Sequence, residues 1–326
     1  MIVVTGGAGF IGSVAVHELN RRGHSDIVVV DRLGTAEKWK NLVGLAYDDY
    51  LDKEDFIEKL VSNHFGNGID LILHLGACSA TTEHNADYLM ENNYRYSLRI
   101  AQWRNEHKAT RLVYASSAAT YGDGRKGYSD DEAELDALRP LNMYGYSKHL
   151  FDLQARRRGW LSSIVGLKYF NVFGPNENHK GDMRSVINKA YPRVREHGVM
   201  SLFKSYRGDY RNGEQQRDFI YVKDAVAMTL YCAEHAQVNG IYNIGTGNAR
   251  SWNDVAHALF KAAGREPKIT YIDMPETIRD KYQYFTQANM DKLRSTGCDS
   301  TCSRLEDAIE DYVKTYLSKN ALIAQC

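Results

Sequence analysis

The chain has 326 residues, 43% of them hydrophobic and 25% charged, with 41 basic side chains against 41 acidic ones. That length allows two domains around a substantial core, and the even charge balance gives no footing for nucleic acid or an anionic membrane surface. No run approaches the roughly 18 apolar residues of a membrane span. No basic leader precedes the first apolar run, and the five cysteines (Cys78, Cys232, Cys298, Cys302, Cys326) are too scattered for a disulfide framework, so a soluble cytoplasmic protein is expected. Cys298 and Cys302 lack a second Cys or His pair at zinc-like spacing, so no metal site is expected.

In chain order, Ile2–Thr5 reads as a buried strand, followed by a Gly-rich turn and a helix that stops at Gly23. "DIVVVDRL" is a second apolar strand ending at Asp31, and "IDLILHLGA" a third. Residues 85–106 have the pattern of a helix. "TRLVYASSAATYG" is a fourth strand running into a loop, "YGYSKHLFDLQARRRG" a helix, and "SSIVGLKYFNVFGP" a fifth strand closed by Gly174–Pro175. Strands alternating with helices imply a parallel sheet covered on both faces. Beyond Pro175 the segments "NENHKGDMRSV" and "SYRGDYRNGEQQRD" are long and polar, as functional loops are. "DFIYVKDAVAMTLYCAEH" then reads as strand and helix, and "GIYNIGTG" as a strand returning to the sheet. The expected fold is α/β: a Rossmann-type doubly wound parallel sheet from residues 1–170 and 219–248. A smaller C-terminal α/β substrate-binding unit would come from 171–218 and 249–326.

"GGAGFIG" places Gly6, Gly9 and Gly12 directly after a strand and at the start of a helix. A pyrophosphate needs that tight turn, close backbone approach and free helix N-terminal N–H groups. Asp31 lies about twenty residues on, where a ribose hydroxyl is expected. Asp31 alone favours NAD; Arg32 next to it and Lys38 nearby tilt the choice to NADP, with NAD as the alternative.

In "YGYSK", Tyr144 and Lys148 stand four apart and share a helix face, while Tyr146 points elsewhere. An ammonium beside a phenol favours phenolate, which turns Tyr144 into a usable base. The plain alternative is an exposed Tyr and Lys on an amphipathic helix.

The loop spacing, "YASSAATYG" and "YGYSK" together resemble an extended short-chain dehydrogenase/reductase. That resemblance implies Ser117, rather than Ser116, as the hydroxyl that works with Tyr144 and Lys148. "HLGACSATTE", "ENNY", "PLNMYGYSKHLFD", "KYFNVFGPNENHKGDM", "RDFIYVKD", "YNIGTG" and "KYQYFTQA" carry a closer likeness, to the ADP-heptose 6-epimerase family, from end to end of the chain. It implies inversion at C6 of an ADP-heptose, a lipopolysaccharide inner-core precursor, by transient oxidation on tightly bound NADP. Lys180 in "NHKGDM" would be a second acid/base opposite Tyr144, its pKa lowered by burial or by Arg184, His179 and the nicotinamide. Carried over residue by residue, the cofactor contacts are Gly6, Gly9, Phe10, Ile11, Gly12, Asp31, Arg32, Lys38, Lys53, Leu75, Gly76, Ala77, Cys78, Ser79, Asn92, Tyr144, Lys148, Val172 and Lys180. The substrate contacts are Ser79, Ser117, Asn171, Lys180, Asp182, Lys189, Phe203, Lys204, Ser205, Tyr206, Arg217 and Tyr282. A homo-oligomer, a homopentamer by family, is implied too.

This chain departs from the family at Val14, where Asn is common, and at Asp182, where a small hydroxyl residue is common. A carboxylate there would repel a diphosphate unless Arg184 paired with it. Other readings are a UDP-hexose 4-epimerase and a non-catalytic NAD(P)-binding protein of the same fold. A dehydratase needs an Asp–Glu pair after the strand-end hydroxyl, and Ala118–Ala119 stand there.

Overall fold

The computed structural model describes residues 1–279, 282–299 and 301–326; Lys281, which opens "KYQYFTQA", lies outside them. The first half alternates strand and helix: β1 (Ile2–Thr5), α1 (Phe10–Arg21), β2 (Ile27–Asp31), β3 (Asp49–Asp52), α2 (Lys53–Val61) and β4 (Leu71–His74). Next come α3 (Ala86–Leu89), a π turn (Met90–Arg95), α4 (Tyr96–Glu106), β5 (Arg111–Ser117), α5 (Met143–Arg157) and β6 (Val165–Tyr169). The second half adds β7 (Asn171–Phe173), α6 (Val186–His197), β8 (Met200–Phe203), β9 (Gln216–Tyr221), α7 (Val222–Glu234) and β10 (Gly240–Ile244). It continues with β11 (Ala249–Ser251), α8 (Trp252–Ala262), β12 (Ile269–Ile272) and short helical segments after Glu276.

Seven strands form one parallel sheet in the order β10-β6-β5-β4-β1-β2-β3. β2 and β6 are buried along their whole length. That is why their sequences are continuous apolar runs and not alternating ones: helices cover both faces. The strand order reverses between β1 and β4, and this opens a crevice beyond their C-terminal ends.

Three features differ from the sequence expectation. β3, "DYLD", is a sheet-edge strand that buries only Leu51 and so carries no apolar signature. The helix over 85–106 is interrupted by the π turn, whose extra residue per turn leaves the amphipathic pattern almost unchanged. The fifth predicted strand is two strands. The chain leaves the main sheet at Phe170, and β7 pairs with β9, which in turn pairs with β11. That departure carries Asn171 and Val172 off the sheet and out over the crevice.

Candidate active site

The loop after β1 is built for close approach. Gly6 has φ +69°, and a Cβ there would lie 2.7 Å from Cα of Gly76, at the end of β4. A Cβ on Gly12 would meet the Gly6 carbonyl oxygen at 2.0 Å. The Gly9 cap of α1 supplies no side-chain bond, and no acid sits in the first turn. The helix N–H groups and their partial positive charge are therefore open to an anion.

Asp31 ends β2. Its Oδ2 accepts from Ala8 N at 3.0 Å, and its Oδ1 accepts from Arg32 N at 2.7 Å and pairs with Lys38 Nζ at 2.5 Å. Arg32 is exposed, and its guanidinium makes no hydrogen bond or ion pair among the described residues. Arg32, Lys38, Lys53, Cys78 and Asn92 line a small cavity of about 160 Å³ around Asp31, with Lys53 Nζ donating to Asn92 Oδ1 at 2.9 Å. Asn93, on the π turn, was missed by sequence reasoning. Its side chain accepts from Cys78 N at 2.9 Å and donates to Cys78 O at 3.0 Å, so it grips the 75–79 loop. The doubled Asn of "ENNY" was the available signal.

The small cavity shares Gly6, Asp31, Lys38, Gly76 and Ala77 with a larger one of about 500 Å³. Ser117, Tyr144, Lys148 and Lys180 all line that larger space, together with Gly9, Phe10, Ile11, Gly12, Leu75, Ser79, Asn171 and Val172. Lys148 is buried and donates to the Ala115 carbonyl at 2.8 Å, while Tyr146 on the opposite side of α5 is 46% exposed. Ser116 is spoken for: its hydroxyl donates to buried Asp152 at 2.6 Å. Ser117 Oγ accepts from Ala119 N at 3.1 Å and lines the cavity beside Tyr144.

The electrostatics correct one expectation. Burial pushes the Tyr144 phenol above its ordinary value, opposed by the Ser117 hydroxyl; Lys148 is not among the groups that move it. Burial takes Lys148 down to about 8, with Asp152 opposing. The two lie on one helix face, as the spacing requires, but the Lys148 ammonium is turned to the β5 backbone.

Lys180 comes from a short 3₁₀ segment, Asn178–Met183, kinked at Gly181 with φ 54°. Its Nζ lies 5.0 Å over the Phe10 ring, beside the glycine loop. Burial lowers its pKa, and Glu177 opposes this. Arg184 and His179, expected as causes, are not: Arg184 bonds the Gly181 carbonyl and Asn188, and burial holds the His179 imidazole down to about 4. The fully buried Glu177 staples the segment. Its carboxylate accepts from Gly174 N, Ser185 N, Ser185 Oγ and Tyr312 OH. Asn41 Nδ2 reaches Ala8 O, Asn176 O and His179 Nδ1 at 3.0–3.1 Å, tying the segment to the glycine loop.

The expected substrate residues divide. Arg217 is buried and donates to the carbonyls of Gln216 and Gln283; its guanidinium lies 5.1 Å over the Tyr282 ring, and no carboxylate pairs with it among the described residues. Tyr282 OH accepts from Trp252 Nε1 at 2.9 Å, and Trp252 lines the larger cavity. Phe203 packs edge-on against Tyr282. Lys204 and Tyr206 bond Asp273 at the surface, and Ser205 N donates to Asn212. Asp182 and Lys189 are exposed and outside the cavity lining. Lys189 Nζ donates to the Asp182 carbonyl at 3.0 Å, and the Asp182–Arg184 pair does not form. A third space of about 790 Å³, lined by Gly245, Thr246, Arg250, Arg294 and residues 301–306 among others, holds none of the expected residues.

A doubly wound sheet with an anion-ready glycine loop at its switch point, and a Ser–Tyr–Lys set facing it, defines a nicotinamide-dinucleotide enzyme of the dehydrogenase/epimerase class. Residues 2–245 match the NAD dependent epimerase/dehydratase family, and the chain belongs to it. It is 56% identical over 318 residues to an ADP-L-glycero-D-manno-heptose-6-epimerase of Nitratidesulfovibrio vulgaris, covering 98% of each chain. It is similar to the crystal structure of the Helicobacter pylori protein of that name, with TM-score 0.78, 30% identity and coverage of 96% and 95%. A UDP-N-acetylglucosamine 4-epimerase from Methanobrevibacter ruminantium superposes at TM-score 0.82 with 22% identity and 98% of both chains, a likeness of fold alone.

Proposed function

We propose that this chain is a nucleotide-sugar epimerase that converts ADP-D-glycero-D-manno-heptose to ADP-L-glycero-D-manno-heptose by inversion at C6. One observation carries the reading: two ionisable groups on different supports, Tyr144 and Lys180, line the same cavity as the glycine loop. A carbon with no acidic C–H inverts by way of a carbonyl, and a dinucleotide bound along Gly6–Gly12, Asp31 and Lys148 supplies the acceptor and then the donor of the hydride. The positions at Gly6 and Gly12 that a Cβ would fill, and the uncapped α1 N-terminus, suit its pyrophosphate.

Tyr144 takes the proton from the substrate hydroxyl as the carbonyl forms. It does so as the phenolate, whose charge the Lys148 ammonium offsets beforehand, and becomes a phenol on taking the proton; the Ser117 hydroxyl donates to the reacting oxygen. Once the carbonyl has turned its other face, its oxygen would lie near Lys180, whose ammonium supplies a proton of its own. Tyr144 gives up, and Lys180 regains, a proton by exchange with solvent before the next turnover. Burial brings the Lys180 amine nearer to neutrality, where an acid/base group works best. Arg217 pairs with no carboxylate among the described residues; two of its donors go to the Gln216 and Gln283 carbonyls, and the remaining ones are left for a diphosphate. Incubation with ADP-D-glycero-D-manno-heptose, followed by proton NMR, should show inversion at C6. Turnover of UDP-hexoses alone would transfer the assignment to a 4-epimerase.

For the cofactor, the unpaired Arg32 with Lys38 and Lys53 around Asp31 supports NADP. Arg32→Ala should weaken NADP binding at least tenfold more than NAD binding, an expected ratio on the order of 1.4 kcal/mol. Equal losses would leave the 2′-phosphate unread by Arg32.

A further inference from the structure

One turn beyond Lys148 on α5 lies Asp152, fully buried. Three consecutive residues of β5 serve this helix face. Tyr114 OH donates to Asp152 Oδ1 at 3.0 Å, the Ala115 carbonyl accepts from Lys148 Nζ at 2.8 Å, and Ser116 Oγ donates to Asp152 Oδ2 at 2.6 Å. Across the ladder from Ser116, on β6, stands Lys168, also fully buried. Its Nζ is 4.0 Å from Asp152 Oδ2 and 4.2 Å from the centre of the Tyr121 ring, and it makes no hydrogen bond among the described residues. A carboxylate that only tied helix to sheet would be served by the two hydroxyls. A buried ammonium with no hydrogen-bond acceptor is expensive unless the charge of Asp152 answers it.

We propose that Asp152 is a positioning residue of the reaction: its carboxylate, shared with Lys168, is the buried counter-charge that keeps Lys148 an ammonium beside Tyr144. This rests on the reading of Tyr144 and Lys148 given above. The groups that face the cluster are few. On α5 they are Lys148 and His149, the latter held neutral by burial near 4; on β5 there is Tyr114. Lys168 faces it from β6, Tyr121 from the turn after β5, and Asp130 and Lys292 act on Lys168 from the far side. Cys78, on the loop after β4, and buried His74, at the end of β4, also interact electrostatically with Lys148. Of these, Asp152 is the acid that acts on both lysines; burial works against its charge, and Lys168, Ser116, Tyr114 and Lys148 sustain it.

The test is titration of the Lys148 side chain by NMR in enzyme labelled at lysine Cε, with the resonance assigned by its loss in Lys148→Met. Asp152→Asn keeps an acceptor for the hydroxyls but removes the charge, and the Lys148 midpoint should fall by about one pH unit, tenfold in the proton equilibrium. Lys168→Met removes the cation that competes for Asp152, and the midpoint should rise. Asp152→Glu should stay close to the parent enzyme. The alkaline limb of kcat/KM should move in the same directions, because it reports the free enzyme. An unmoved midpoint in either variant that folds, or shifts of the same sign in both, overturns the proposal. The titration needs no substrate, so failure to turn over ADP-heptose would count against the proposed function and leave this test standing.

Discussion

The two walls of the cavity fix their acid/base groups by different means. Tyr144 sits in the first turn of a 15-residue helix. That helix is capped by Asn142, whose Oδ1 accepts from Gly145 N at 2.8 Å, and Lys148 ties it to β5. Lys180 has no helix beneath it. It is held through the residues that flank it: Asn41 bonds Asn176 O and His179 Nδ1, Asn176 Nδ2 donates to Ser13 Oγ on α1, and Glu177 accepts from Ser185 and Tyr312. A regular element fixes geometry through local spacing; a loop fixes it through long-range side-chain bonds. Both walls end with a buried or half-buried ionisable group aimed at one space.

The largest expected effect comes from removing either group. Tyr144→Phe and Lys180→Met should each lower the rate of epimerisation by about 10²–10⁴-fold, the usual loss for a positioned acid or base. Both should keep the fold, since each removes only a polar tip. Tyr146→Phe, on the exposed side of the same helix turn, should stay within about threefold of the parent, as surface changes do. If Lys180→Met epimerises near-normally, the walls are not equivalent and the two-base scheme falls.

A second pair of variants compares the supports. Asn142→Ala removes a helix cap and should cost about 1 kcal/mol of stability. Glu177→Ala leaves Ser185 N, Ser185 Oγ and Tyr312 OH without their acceptor, at about 1–3 kcal/mol for each buried group left unmade. Denaturant unfolding of the two variants should therefore rank Glu177→Ala as clearly the more damaging. The opposite order would mean that the Lys180 segment is not held from Glu177.

That contrast also governs what could be read from the sequence. The sheet, the glycine loop, Asp31 and the Tyr144–Lys148 face all follow from periodicity or from backbone needs that only glycine meets. β3 was not legible, because an edge strand needs only one buried side chain, Leu51. The π turn was not legible, because one added residue hardly disturbs an apolar stripe. Glu177 and Asn41 were not legible because nothing local marks a buried carboxylate's partners 8 and 135 residues away. Lys180 and Arg217 were reachable only through family likeness. For Asp182 and Lys189 that likeness led to the surface, where this chain bonds one to the other's backbone.

The acid side of the pH range probes the sheet wall. His74, at the end of β4, is fully buried between Thr5 Oγ1 at 2.7 Å and Ser97 Oγ at 2.8 Å. Burial takes its pKa from 6.5 down to about 3. Between those values the unfolded chain binds a proton that the folded one refuses, so stability falls as pH falls from 6.5 towards 3. At pH 5 the loss from this one imidazole is about 2 kcal/mol. Thermal unfolding should show His74→Gln less stable than the parent at pH 7 but less sensitive to acid between pH 7 and 5. An equally steep pH dependence in the variant would place the acid sensitivity elsewhere.

The smallest expected effect belongs to the loop wall's outer edge. Lys189 lies on the first turns of α6, exposed, with its ammonium on the Asp182 carbonyl. A solvated contact of that kind contributes about 0–1 kcal/mol. Family likeness makes Lys189 a substrate contact; its position makes it a brace on the turn that follows Lys180. The two roles separate in kinetics. If Lys189 holds the nucleotide, Lys189→Ala raises KM by tenfold or more with kcat intact, because uniform binding is lost. If it braces the turn, KM moves by less than about threefold, and a small fall in kcat tracks the looser Lys180. The distances favour the brace. A tenfold rise in KM would show that the segment closes over the substrate, and that the loop wall, unlike the helix wall, takes its working shape only when the site is filled.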